Sequence, residues 1–464
     1  MIKNKLLIFF FSICHCLLSS AQVDSLIITY QEYMENIMLF HPIAEKADLQ
    51  TKRAAAEWLS AKGNLDPTIN FSWNEKDFDK KLYYRQYQGN FKIPTTLGVE
   101  VVGGYENTEG VFLNPEEKTD EYGLWYLGVE VNILQGLIIN ERKIALQQAS
   151  VLQDMTANER GIILNELLYN ASKAYLEWQK NFYFRTVFEE NIELANTYLE
   201  NTKLSFENGE KAALDTLEAF ILYQDARNYF QKNEFILNGA RQKVENYLWY
   251  EEAPISLQPS TKPEDYRNEK FQIETNAKIS NLVDNHPLIQ SYINKQSFFE
   301  IEQKLKREKL KPKLKAKYNP LLSTEDNLAP NFSFSNYKWG IDFSMPLFLR
   351  SERAGIQMGE IKIAETVLDI QNKRNELTNK IENSLQQQSI LNEQITLSQQ
   401  NLEGYRLLLE GENEKFRLGE SSVFLLNKRQ EKYINGRLKL IELNIKLQKE
   451  ILNYLYYTNE LIGR

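Results

Sequence analysis

A mainly α-helical fold with a smaller β portion is predicted for this 464-residue chain from three observations. Two tracts of more than a hundred residues, 116–253 and 347–464, contain no proline. A Phe-x-x-Gly-Glu turn occurs once in each. Short segments in which apolar and polar residues alternate precede each tract.

Proline costs about 3 kcal/mol inside a helix, and both tracts are rich in Leu, Glu, Lys, Gln, Ala and Asn, so very long helices are expected. Apolar residues recur there at spacings of three and four. Leu164, Leu167, Ala171, Ala174 and Trp178 form one stripe. Ile434, Leu438, Ile441 and Ile445 form another, and Leu440, Leu443, Leu447 and Ile451 form a second stripe on the same segment. A two-stranded coiled coil needs one seam. Two offset seams suit a helix with neighbours on both sides, and an ordinary buried helix with a wide apolar face is the alternative.

The breaks at residues 206–210 and 416–420 each place a glycine, Gly209 or Gly419, where a helix stops by adopting positive φ. Each therefore reads as the turn of a helical hairpin with arms of about 60–70 residues, or about 100 Å. Phe206, Gly209 and Glu210 map onto Phe416, Gly419 and Glu420 with an offset of 210. His41-Pro42 maps onto His286-Pro287 with an offset of 245. In each pair the proline suits a helix start, where a missing N–H costs little. The chain thus reads as a duplication: a first repeat over 22–251, a proline-rich linker over 252–266 and a second repeat over 267–464. The first repeat is longer by 35 residues between these landmarks.

Alternation of period two marks half-buried strands. It occurs at 68–74 (Ile69, Phe71, Trp73), 125–133 (Trp125, Leu127, Val129, Val131, Ile133) and 337–345 (Tyr337, Trp339, Ile341, Phe343, Met345). At 312–318, Leu314, Ala316 and Tyr318 oppose Lys313, Lys315 and Lys317. In a transmembrane barrel those lysines would line the lumen with positive charge. A soluble sheet with one wet face, or a protected edge strand, is the other reading. Residues 82–93 and 96–106 are two further strand candidates and account for the extra length of the first repeat; they are read either as barrel wall or as an external hairpin.

At the N-terminus Lys3 and Lys5 precede an apolar run, 6–18, and the small residues Ser19, Ser20 and Ala21. This is a signal peptide over 1–21, cleaved before Gln22; thirteen apolar residues are too few to span a bilayer. Both cysteines, Cys14 and Cys16, lie within it, so the mature chain has no disulfide, thiolate metal site or thiol nucleophile. A formal charge of -8 argues against a nucleic-acid partner, and a mean hydropathy of -0.48 argues against a polytopic helical membrane protein. With 42% hydrophobic residues the chain is not disordered. His41 and His286 are the only histidines after the leader and read as helix-entry residues. No phosphate-binding glycine loop, HExxH or nucleophile elbow occurs, so no catalytic, cofactor-binding or metal-binding residue is assigned and an enzyme is not expected. The run 304–317 carries eight basic residues, which suit lipopolysaccharide, the duct lining or a solvated strand and its approach helix.

In its order of leader, tandem repeats, strands and hairpins with F-x-x-G-E turns, the chain resembles the TolC-like outer membrane efflux proteins over residues 23–464. Leu134-Gln135-Gly136 and Met345-Pro346-Leu347-Phe348 match that family's strand-to-helix passage, the proline being kept in the second repeat alone. The resemblance implies a homotrimer in which long α-helical hairpins form a trimeric α-barrel through the periplasm, joined to a β-barrel in outer membrane lipid. It implies an exit duct of a tripartite efflux or type I secretion system, docked to a periplasmic adaptor and an inner-membrane transporter. Family members typically contribute four strands per chain, whereas six candidates occur here. The resemblance also places the periplasmic aperture at the hairpin turns, around Gly209, Glu210, Arg417, Gly419 and Glu420, where Glu210, Arg417 and Glu420 are read either as adaptor contacts or as caps of the turn. Asp215 matches the acidic residue of the first turn. Leu425 and Lys428 stand where the second turn usually has acids, so a double acidic ring is not reproduced. Leu425 then suggests a hydrophobic constriction, and Asp215 either pairs with a neighbouring base such as Lys428 or is a solvated helix-start residue. An exported coiled-coil scaffold is the competing reading; it explains the helices and the duplication but not the aromatic-sided strands.

Overall fold

Each His-Pro step starts a helix in the same way. Pro42 and Pro287 have no N–H to satisfy, and the preceding imidazole accepts from the next one: His41 Nδ1 from Ile43 N at 3.1 Å and His286 Nδ1 from Leu288 N at 3.1 Å. The computed structural model describes residues 26–268, 271, 278–323 and 331–462; the leader lies outside them. After β1 (Ile27–Ile28), the helices α1 (Tyr30–Phe40) and α2 (Pro42–Gly63) lead into β2 (Thr68–Phe78), β3 (Lys81–Pro94), β4 (Val99–Glu109) and β5 (Leu124–Asn132). The first hairpin is α3 (Glu141–Glu207) with α4 (Ala213–Glu245). The two-residue strands β6 (Trp249–Tyr250), β7 (Ala253–Pro254) and β8 (Lys262–Pro263) follow. The second half holds α5 (Ile279–Asp284), α6 (Pro287–Glu308), β9 (Lys313–Ser323), β10 (Asn331–Ser344), α7 (Arg350–Arg417) and α8 (Val423–Thr458).

The leading arms of the hairpins, α3 and α7, are 67 and 68 residues long, within the expected range. The trailing arms are not: α4 has 33 residues and α8 has 36. Both stop for local reasons. After α4 the backbone folds into the β6–β7 pair around Glu251, whose φ is 54°, and Pro254 cannot continue a helix. After α8, Asn459 takes the left-handed conformation at φ 60°, and Glu460 N–H closes on the Leu455 carbonyl at 2.8 Å.

The chain divides into two compact units. One comprises Met1–Glu45, Asn165–Asn276 and Lys380–Arg464. Its core holds four members of the stripe expected from the spacing, Leu167, Ala171, Ala174 and Trp178, all buried. Tyr33 and Tyr175 are fully buried with ring centres 5.4 Å apart, and Trp178 stands edge-on to Tyr175. Glu177 of α3 and Lys449 of α8 pair at 2.7 Å. Leu391, Ile395 and Leu443 make a further cluster, lined by Leu440 and Leu447 of the second stripe.

The other unit comprises Lys46–Leu164 and Ala277–Asn379 and carries the sheet. All six strand candidates join one antiparallel sheet in the order β10-β9-β5-β4-β3-β2. The candidates at 82–93 and 96–106 are therefore sheet strands beside β2 and β5, not a detached hairpin. Strand alternation gives the sheet two different faces. Ile69, Phe71 and Trp73 of β2, Trp125, Leu127 and Val129 of β5, and Trp339, Ile341 and Phe343 of β10 all point to one side and are exposed, Ile69 at 84%. Register brings Ile69 opposite Phe91 and Trp339 opposite Tyr318, so the same side continues through the intervening strands. Aromatic neighbours line it: Trp73 and Tyr87 at 5.0 Å, Tyr105 and Trp125 at 4.8 Å, Tyr318 and Tyr337 at 5.6 Å. The opposite face carries Asn, Gln, Lys and Glu. Among the described residues no helix is long and apolar enough to cross a membrane.

Candidate functional site

The two hairpin turns have the same backbone. Gly209 has φ 74° and Gly419 φ 78°. Glu210 N–H reaches the Ser205 carbonyl at 2.8 Å and Gly209 N–H that of Phe206 at 2.9 Å; Glu420 reaches Lys415 at 2.9 Å and Gly419 reaches Phe416 at 3.1 Å. These crossed bonds form a Schellman stop, which satisfies the last helical carbonyls and favours a residue without a Cβ at the left-handed position.

The helix starts that follow differ. Asp215 accepts the N–H of Ala212 at 3.1 Å, but Ala212 offers no side-chain oxygen in return. Ser422 caps α8 by accepting the N–H of Leu425 at 3.3 Å, but Leu425 has no carboxylate to return. A complete capping box uses both bonds; each turn holds one half. Asp215 thus spends its carboxylate on its own helix start, and Lys428 pairs with Glu431 at 3.0 Å. Asp215 and Lys428, the base named as one of the two alternatives for it, each have a partner on their own helix within the chain. Leu425 is exposed, as are Glu210 and Glu420. Arg417 pairs with Glu414 at 3.2 Å on the surface of α7.

Behind the turns the two hairpins pack side by side. Phe416 lies against two buried clusters, Tyr198, Leu409 and Leu426 on one side and Leu199, Ala219 and Val423 on the other. Its repeat-mate Phe206 is exposed. Lys211 stands over the Phe416 ring at 4.9 Å. Tyr198 donates to Asn413 at 2.6 Å, and burial pushes its hydroxyl up to about 12 against that bond. Gln430 donates to Asn191 at 2.8 Å in the interior. Glu412 receives Ser421 Oγ at 2.6 Å and Arg429 at 3.3 Å, which hold its carboxyl below the ordinary value.

On the polar face of the sheet the three lysines are less available than the sequence implied. Lys315 pairs with Glu130, and Lys317 with Asp342 at 3.0 Å; Lys313 is exposed. The expected positive lining is corrected to a largely neutralised one, because register places acids of β5 and β10 beside β9. Pairing extends to four more residues of the basic run: Lys306 with Glu302, Arg307 with Glu360, Lys309 with Glu141, and Lys311 with Glu308. The sequence reading missed a denser cluster nearby. Lys92 bridges Glu100 at 3.0 Å and Glu130 at 3.2 Å, and Arg142 also pairs with Glu100. The shared polar parity of Lys92, Glu100 and Glu130 along their strands was its signal. Among the described residues no group of three or more His, Cys, Asp or Glu is placed to hold a metal ion.

No family model and no curated protein matches the sequence. Solved structures do match in shape. The CmeC outer membrane channel of Campylobacter jejuni superimposes with a TM-score of 0.67 at 12% identity, over 93% of this chain and 85% of that one. The outer membrane protein VceC of Vibrio cholerae gives 0.66 at 11% identity, over 92% and 95%. The open state of the MtrE outer membrane channel of Neisseria gonorrhoeae gives 0.64 at 10%, over 96% and 94%.

The chain has the TolC-like fold. Nearly its whole length takes part, so both the paired hairpins and the sheet belong to that fold. Neither the capping halves nor the Lys92 cluster follows from the likeness, since identity this low carries architecture alone.

Proposed function

We propose that the chain is an outer membrane exit duct, passing substrates from the periplasm or an inner-membrane transporter to the exterior. The observation that carries this reading is the six-stranded sheet, with one continuous apolar and aromatic face and two open edges, on the same chain as the packed helical hairpins. An apolar face this rich in Trp, Tyr, Phe and Ile suits lipid with aromatic borders. Open edges do not survive in hydrocarbon, because their N–H and C=O groups would be unsatisfied. Six strands are also fewer than the eight of the smallest membrane barrels. Further copies of the chain supply the missing neighbours, and a homotrimer fits the fold.

In this reading residues 1–21 direct export and are removed, and two repeats, 22–251 and 267–464, are joined by the linker 252–266. The hairpin turns stand at the periplasmic aperture, with Asp215, Leu425 and Lys428 near its narrowest part. Gly209, Glu210, Arg417, Gly419 and Glu420 shape the tip that meets a periplasmic adaptor. Lys313, Lys315 and Lys317 face the lumen. The inner-membrane partner of an efflux or type I secretion system supplies energy and cargo choice, and the duct itself performs no catalysis.

Separation of inner and outer membranes by density, followed by immunodetection of the chain, tests the assignment. Recovery in the outer membrane, released by detergent and not by salt, is expected. Recovery in the soluble exported fraction would overturn it and leave the coiled-coil scaffold.

A further inference from the structure

We infer that β3 and β4 are wall strands of the pore, so that three copies close a barrel of three times six, or eighteen, strands. The inference deepens the trimeric channel reading above and rests on it. Four strands per chain would close twelve.

The ladder leaves β3 and β4 no other place. Residue rows run straight across them: Ile69 faces Phe91, Phe91 faces Gly103, and Gly103 faces Leu127. Among the described residues β2 is bonded to β3 alone, so it reaches β5 only through the pair. A hairpin standing clear of the membrane would continue beyond the ends of β2 and β5 instead of lying beside them. With 14 and 11 residues, β3 and β4 also have the length that a tilted membrane strand needs, about 9–11 residues.

Side-chain polarity agrees. Phe91 and Tyr105 lie on the same face as Ile69 and Leu127, while Gln88 lies on the polar face. The Phe91 ring covers Gly103 so closely that a Cβ there would stand 2.4 Å from it. A glycine beneath a cross-strand aromatic ring is a device for setting curvature and register in a closed sheet.

Strand direction permits closure. Five successive antiparallel pairings leave β2 and β10 running in opposite directions. The β2 edge of one copy therefore meets the β10 edge of the next in antiparallel fashion, and a head-to-tail contact repeated by rotation gives a ring. Barrel diameter grows roughly linearly with strand number, and eighteen strands fall in the range that encloses a water-filled channel. The opening is about half as wide again as that of twelve strands.

Single-cysteine labelling tests this, because both cysteines of the chain lie at positions 14 and 16, in the leader. Phe91→Cys, Tyr105→Cys, Gln88→Cys and, as a reference on β10, Phe343→Cys are made in the full chain. Each is labelled with a fluorophore and reconstituted into phosphatidylcholine vesicles with or without brominated acyl chains. Loss of fluorescence in brominated lipid at 91, 105 and 343, with none at 88, is expected. Quenching at 343 but not at 91 or 105 would place β3 and β4 outside the bilayer and overturn the eighteen-stranded wall. Absence of quenching at 343 as well would overturn the membrane-channel reading itself.

Discussion

Asp215 and Leu425 occupy the same place in the two hairpins, three residues past the helix cap, yet Asp215 alone returns a hydrogen bond to its cap. The complementary defect is Ala212, which stands where the second hairpin has Ser422. The repeat has divided one capping box between its copies. A role in the aperture and a role in the cap are thus both assigned to Asp215, and substitution separates them.

Completing the box in the first turn with Ala212→Ser should stabilise the start of α4 by about 0.5–1 kcal/mol. Asp215→Ala should cost a similar amount. Amide hydrogen exchange across residues 210–218 reads both changes. Unchanged protection in both variants would remove the capping role.

Leu425→Asp supplies the carboxylate that the second turn lacks. If the turns line the aperture, it also adds one negative charge per copy at the narrowest part. Single-channel recording should then show higher cation selectivity or divalent block, and Lys428→Asp should act in the same direction. Currents equal to those of the unmodified channel, alongside slower exchange at the turn, would leave Leu425 a purely structural position.

Phe416 is packed between α3, α4 and α8, whereas its repeat-mate Phe206 is exposed. Truncation of a packed phenylalanine to alanine costs up to about 3–5 kcal/mol, and the half-buried Phe416 should lie near the bottom of that range. Phe416→Ala should therefore expose residues 418–422 to protease. In the isolated chain Phe206→Ala should be nearly silent. If, in a ring, Phe206 packs against the next copy as Phe416 packs against the first hairpin, its truncation should lower assembly without affecting the fold. Equal protease sensitivity of the two variants in the unassembled chain would contradict the packing described.

Acid should destabilise the helical unit in two steps. Burial lowers the His41 imidazole below its ordinary 6.5, so its contribution is complete above that value and is lost as the pH falls below it. Burial would raise Glu177, but Lys180 and Lys449 outweigh it and hold the carboxyl at about 2. That contribution is complete above 4.5 and drains away as the pH falls from there toward 2. Thermal melts followed by far-UV circular dichroism from pH 8 to pH 3 should show both declines. His41→Asn should erase the first and leave the second.

The Lys92 cluster predicts non-additivity. Lys92→Gln leaves Glu100 with Arg142 and Glu130 with Lys315. Lys315→Gln leaves Glu130 with Lys92. The double variant leaves Glu130 without either base, and a mostly buried carboxylate that loses its partners is costly. Its loss of heat stability in detergent should exceed the sum of the single losses. A strictly additive result would mean that water already screens Glu130.

The elements that follow from local rules were legible in the sequence. Proline-free tracts, the glycines at 209 and 419, the histidines at 41 and 286 and the alternation of Ile69, Phe71 and Trp73 each act over a few residues, and each fixed its element. The lengths of α4 and α8 were not legible. Their ends depend on a two-residue strand pair around Glu251, which stops α4 several residues ahead of Pro254, and on Asn459 in the left-handed conformation. Partners across the sheet were hidden for a related reason. Lys315 and Lys317 read as a bare basic stripe until register set Glu130 and Asp342 beside them.

The central claim is a hollow trimer in the outer membrane. Full-length protein extracted from outer membranes in detergent and imaged as single particles tests it most directly. The account predicts end-on views with three-fold symmetry around a central opening. Particles with the mass of a single chain, or open filaments that stay soluble without detergent, would contradict it.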